Sequence, residues 1–194
     1  MAGISLGVAP GANILALDVF DGYSAWDSDI IDAINWSISN QDVYNIAAIN
    51  MSLGAGRYFS ECGTDVFATP ISAAKATGIL VAVASGNDGY KDSMASPACA
   101  PDAVSVGAVY DADMDALGVC PEYPAVDQVT CFSDCAPFLD LLAPGSAITA
   151  AGITMEGTSQ AAPHVEVPQP YRHRYSLPSH RNNGCFVSRL RAPC

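Results

Sequence analysis

The stretch "ILVAVASGN", residues 79–87, decides how the chain folds. It is a continuous apolar run that ends in small and polar residues, with Gly78 before it and the turn-forming Asn87-Asp88-Gly89 after it. Such a run reads as a short buried strand. Immediately upstream, "FATPISAAKATG" (67–78) is an Ala-rich helix closed by its glycine. Further upstream, "IAAINMSLG" (46–54) is a second buried run ending in glycine.

The same alternation extends outward. "DSDIIDAINWSI" (27–38) places Ile30, Ile31, Ile34, Trp36 and Ile38 at near-helical spacing. Ser28 or Asp29 is its expected cap, with carboxylates facing the positive end of the helix. "NILALDVF" (13–20), "AVSVGAVY" (103–110) and "LDLLAPGSAITAA" (139–151) supply the remaining expected strands. Apolar strands alternating with helices predict an α/β fold with a mostly parallel sheet covered on both faces. Ligands of such sheets sit beyond the carboxyl ends of the strands, which here read "SLG", "SGN" and "APG".

From residue 166 the periodicity stops, and Pro168, Pro170, Pro178 and Pro193 punctuate the rest. Charge reverses at the same point: residues 1–165 hold 19 acids against three bases, Arg57, Lys75 and Lys91, whereas the remainder holds five arginines and one acid. The expectation is one domain over 1–165 and a non-homologous tail over 166–194, disordered or out of frame. The acidic body repels phosphate backbones, so no nucleic acid partner is expected, the basic "YRHRYSLPSHR" of the tail being the one stretch that could be misread as a binding arm. The apolar runs fall short of a membrane span and the N-terminus shows no leader, so neither membrane segment nor signal peptide is expected.

Seven cysteines without a CxxC pair or metal-ligand spacing point to disulfides in an oxidising compartment. Cys62 with Cys99 and Cys120 with Cys131 are plausible pairs, and an odd cysteine, Cys135 or one in the tail, is left over. "DADMD" (111–115) offers at most three carboxylates, too few for calcium, and reads as a solvated acidic loop. No metal site is assigned. Nucleotide binding fails at "LGAGRYF" (53–59), which lacks the third glycine of a phosphate loop.

"GTSQAAPHV" (157–165) carries the chemistry. Ser159 opens a short Ala-rich helix, where free N–H groups and the helix dipole would support a nucleophilic oxygen and an oxyanion. His164 lies five residues on, so on a helix its side chain points about 140° away from that of Ser159. It reads as a packed histidine.

Gly-Thr-Ser-x-Ala-x-Pro-His resembles the nucleophile motif of subtilisin-like serine proteases, the subtilases. "INMSLG", "ILVAVASGNDG" and "LDLLAPG" resemble further segments of that family in the same order, over about residues 1–165. The resemblance implies a subtilisin-like three-layer fold, truncated at both ends, and a secreted, monomeric endopeptidase acting on polypeptides. It implies Ser159 as nucleophile and Asn87 as the oxyanion-hole side chain. Ser52, Leu53 and Gly54, with Ala84, Ser85 and Gly86, become the segments that bind an extended peptide and flank its side-chain pocket. His164 matches the structural histidine of the motif. The family's general base and its acidic partner are expected upstream of Met1, so the chain alone should be inactive, and a frameshift near residue 166 is expected. No cofactor is expected in this chain, although structural calcium occurs in the family. The alternative is a non-catalytic peptide-binding remnant.

Overall fold

Strand β5 (Leu80–Ala84) divides the core, because successive side chains leave opposite faces of the sheet. Val81 and Val83 join one buried cluster with Ile30, Ile34, Phe67 and Ile71, while Ala82 and Ala84 join another with Ala161, Ala162 and Val165. The bulky face accepts two full helices. The small face lets a short helix lie close to the sheet.

The computed structural model describes residues 1–112, 125–165, 180–182 and 185–189. In chain order the elements are α1 (Ala2–Val8), β1 (Phe20–Asp21), β2 (Ser24–Ala25), α2 (Asp27–Ser39), α3 (Gln41–Tyr44), β3 (Ala48–Met51), β4 (Ala55–Tyr58), α4 (Ala68–Ala76) and β5. There follow β6 (Met94–Ser96), β7 (Val104–Val109), β8 (Leu141–Pro144), β9 (Ile148–Ala150), β10 (Ile153–Met155), α5 (Thr158–Ala161) with a 3-10 turn at Ala162–His164, β11 (His180–Asn182) and β12 (Cys185–Arg189). The main sheet runs β11-β12-β8-β7-β5-β3, and every pairing in it is parallel except β11 with β12. The expected α/β architecture with a mostly parallel sheet is therefore the observed one. No helix among the described residues is long and apolar enough to cross a membrane.

Helices α2 and α4 pack on the bulky face through Ile30, Ile34 and Ile71, of which Ile71 is fully buried. Burial of each such side chain stabilises by about 1.5–3 kcal/mol. The disulfide Cys62–Cys99 closes this side of the core, as the sequence suggested. Cys131 and Cys135 are also disulfide-bonded, so Cys135 is not the odd cysteine. Cys120, Asp113 and Asp115 lie outside the described residues.

Three local expectations differ from the structure. Residues 13–19 form no strand, because an alternating pattern becomes a strand only beside a hydrogen-bonding partner, and no strand among the described residues pairs with them. Instead they line a cavity of about 1150 Å³ that reaches the free edge of β3, and Ile14, Leu15 and Leu17 stay 41–44% exposed. Helix α2 begins behind Trp26 with no side-chain cap, which leaves Ser28 and Asp29 inside its first turn. The run 139–151 divides into β8 and β9, and β9 turns back on β10. In the tail, β11 pairs with β12 and β12 with β8. The rest of 166–194 lies outside the described residues.

Candidate active site

The carboxyl ends of β3 and β5 lead into Ser52–Gly54 and Ser85–Asn87, and α5 begins directly over them. Gly157, which precedes α5, has φ +144°, and a Cβ there would approach Gln160 Oε1 to 2.8 Å and both side-chain atoms of Asn87 to 3.5 Å. Only glycine brings the helix this near to Asn87. Behind α5, Ala161 and Ala162 are fully buried against Ala82, Ala84, Val106 and Ala108.

Thr158 joins Ser159 to Asn87. Its backbone N–H donates to Asn87 Oδ1 at 2.8 Å and its hydroxyl lies 3.0 Å from the same oxygen. A backbone N–H can only donate, so the carbonyl end of the Asn87 amide faces Thr158, and Nδ2 is the end that Thr158 does not engage. The Thr158 hydroxyl also lies 3.3 Å from both N and O of Gly86. Thr158 itself is fully buried, whereas Asn87 is exposed.

Ser159 is half-buried, and its hydroxyl donates to the Ser52 carbonyl at 3.4 Å, while the Ser52 hydroxyl returns a bond to the Ser159 carbonyl at 2.8 Å. Asn50 Nδ2 donates to the same Ser52 hydroxyl at 2.9 Å. Neither a histidine nor a carboxylate bonds the Ser159 hydroxyl among the described residues. His164 turns Nδ1 to the Gln160 carbonyl at 2.9 Å, and a carbonyl only accepts, so Nδ1 carries the proton. Burial holds this imidazole below its ordinary value of 6.5.

The two expected peptide-binding segments differ in what they offer. Leu53 and Gly54 make no backbone hydrogen bond among the described residues, which leaves an open edge. Ser85 and Gly86 are engaged instead: Ser85 N–H donates to the Val106 carbonyl, the Ser85 carbonyl accepts from Ala95, and the Gly86 carbonyl accepts from Asp134. Together with buried Ala84 they form a wall rather than an edge. Reading the sequence missed Thr158 and Asp134. Thr158 lay inside the quoted motif, and Asp134 was visible only as one acid among apolar neighbours in "FSDCAPF".

A family model described as "Subtilase family" matches residues 1–166. "Alkaline protease 1" of Aspergillus clavatus is 35% identical over 175 residues, covering 85% of this chain and 38% of that protein. "Subtilisin-like protease 3" of Arthroderma benhamiae is 37% identical over 173 residues, covering 84% and 38%. Among solved structures, a cold adapted subtilisin-like serine proteinase superposes with TM-score 0.55 and 28% identity, covering 74% of this chain and 46% of that one. The chain thus spans under two fifths of the length of these curated relatives.

Proposed function

The chain belongs to the subtilase family, and from that premise we propose that it serves peptide-bond hydrolysis as a serine endopeptidase, with Ser159 as the attacking group. In this reading the Ser159 hydroxyl adds to the carbonyl carbon of an extended polypeptide. The developing oxyanion is held by the Asn87 amide and the Ser159 backbone N–H, groups whose value lies in being oriented before charge forms. The open backbone of Ser52–Gly54 takes the peptide as an added strand, and Ala84–Gly86 wall the pocket beside it. No cofactor enters the chemistry. The observation that carries the reading is the hold of Thr158, the residue next to the serine, on Asn87 Oδ1, which keeps that oxygen occupied and leaves Nδ2 as the donor end of the amide.

A second reading has its own support. The Ser159 hydroxyl has the Ser52 carbonyl as its partner, and no base bonds it among the described residues. We propose that the 194-residue chain by itself binds peptide without turning it over. In subtilisin, a member of the same family, removing the histidine base lowers turnover about 10⁶-fold. The disulfide-bonded Cys62, Cys99, Cys131 and Cys135 favour an oxidising, extracellular setting, and we propose secretion on that ground.

A fluorophosphonate probe and a peptide aldehyde separate the readings. Labelling that Ser159→Ala abolishes supports the nucleophile. Aldehyde binding without labelling supports a peptide-binding remnant. Absence of both would sink the active-site assignment.

A further inference from the structure

Asn87 is exposed on a loop, yet an oxyanion donor is effective only if its backbone is fixed in advance. Residues 86–91 gain that fixity by lying on the segment 130–135. Asp134 N–H donates to the Gly86 carbonyl at 3.0 Å, Gly89 N–H to the Phe132 carbonyl at 2.8 Å, and Cys135 N–H to the Tyr90 carbonyl at 2.8 Å. Lys91 Nζ reaches the carbonyls of Thr130, Cys131 and Ser133 at 3.4, 3.3 and 2.8 Å.

At the centre of this contact is the Asp134 side chain, fully buried. Its Oδ1 accepts the N–H groups of Asp88 at 3.1 Å and Tyr90 at 2.8 Å. Its backbone carbonyl accepts the Ser85 hydroxyl at 2.8 Å. One residue therefore holds the chain on both sides of Asn87. Its Oδ2 has no hydrogen-bond partner among the described residues and abuts Gly86, where φ is +120° and a Cβ would lie 2.1 Å from that oxygen. A buried carboxyl with an unpartnered oxygen is costly. Its two N–H bonds, aimed at the loop, show what it secures. Burial and the neighbouring Asp88 push its carboxyl above the usual range, opposed by the two N–H bonds and Lys91.

We propose that Asp134 is a positioning residue for Asn87, gripping the loop at Asp88 and Tyr90 so that the Asn87 amide stays aimed beside Ser159. This rests on the oxyanion reading above. Asparagine at 134 keeps the Oδ1 acceptor, whereas alanine removes it.

The test compares the unmutated full chain with Asp134→Ala and Asp134→Asn. Three quantities are followed: amide exchange at Asp88 and Tyr90, the NMR resonances of the Asn87 side-chain amide, and calorimetric affinity for a peptide aldehyde. For Asp134→Ala we expect exchange at both amides to quicken about tenfold or more, the Asn87 resonances to move to free-amide positions, and aldehyde affinity to fall about tenfold. Strands β5 and β7 should keep their protection, and Asp134→Asn should restore all three readings. Unmoved Asn87 resonances and unchanged aldehyde affinity in Asp134→Ala would overturn the proposal, even if Asp88 and Tyr90 exchange faster. If Asp134→Ala does not fold, Asp134→Asn decides alone: unmutated-like readings support the proposal, and a released Asn87 overturns it. If the unmutated chain binds no aldehyde, the oxyanion reading fails, and the Asn87 resonances still judge the hold of Asp134.

Discussion

The corner around Ser159 is rich in small and polar residues yet buried, whereas the N-terminal face around residues 13–19 is rich in aliphatics yet partly exposed. In the corner, β5, the 86–91 loop, the 130–135 segment and α5 meet, and Thr158, Ser85 and Asp134 are fully buried. On the N-terminal face, Ile14, Leu15 and Leu17 stay over two fifths exposed beside a cavity of about 1150 Å³. The difference lies in long-range hydrogen bonding. Three bonds tie Asn87 and Thr158 to partners more than 40 residues away, and two more tie Asp134 to the loop. No strand among the described residues pairs with residues 13–19. Apolar content alone does not create order; a partner for the backbone does.

Substitutions that provoke the two regions unequally put this contrast at risk. The largest effect should come from Gly86→Val, which forces a side chain into positive φ and against the Asp134 carboxyl. We expect a loss of about 4 kcal/mol or more in urea unfolding. A loss below about 1 kcal/mol would mean that the corner is loosely packed.

Next comes a matched pair. Ala82→Leu overfills the fully buried small face and should cost about 1–3 kcal/mol. Leu15→Ala, at a side chain 44% exposed, should cost about 1 kcal/mol or less. Equal costs would break the comparison.

On the N-terminal face a gain is expected. Gly7 lies inside α1, a Cβ there would meet nothing within 4 Å, and its φ is not in the positive region. Gly7→Ala should stabilise by about 0.5–1 kcal/mol, read as a raised urea midpoint.

The smallest effect is electrostatic and belongs to the corner. Because burial depresses the His164 imidazole below 6.5, the unfolded chain takes up a proton that the native chain refuses. Stability is then complete above that value and is lost as pH falls through the folded value. His164→Gln should flatten the urea-midpoint profile in that window, and an unchanged profile would remove His164 as its source.

Much of this was legible in the chain. The buried runs at 46–54, 79–87 and 103–110 became β3, β5 and β7, and the helices at 27–38 and 67–78 became α2 and α4. The motif at 157–165 was legible as a short helical start, and the reading of His164 as a packed side chain agrees with its bond to the Gln160 carbonyl, although it sits in a 3-10 turn and not on the same helix as Ser159. The failure at 13–19 has a physical cause: alternation states which faces a strand would have, and says nothing about whether another strand lies beside it. Thr158 and Asp134 escaped notice because a threonine in a motif and an acid in an apolar stretch look alike whether solvated or buried.

Local pattern thus determined the elements and their order, since periodicity and turn chemistry act over a few residues. Tertiary structure alone decided that Asn87 meets Thr158 across 71 positions and that Asp134 reaches under the loop across 46. Those contacts depend on a parallel sheet setting two strand ends side by side, and on Gly86 and Gly157 leaving room for atoms that no nearby residue specifies.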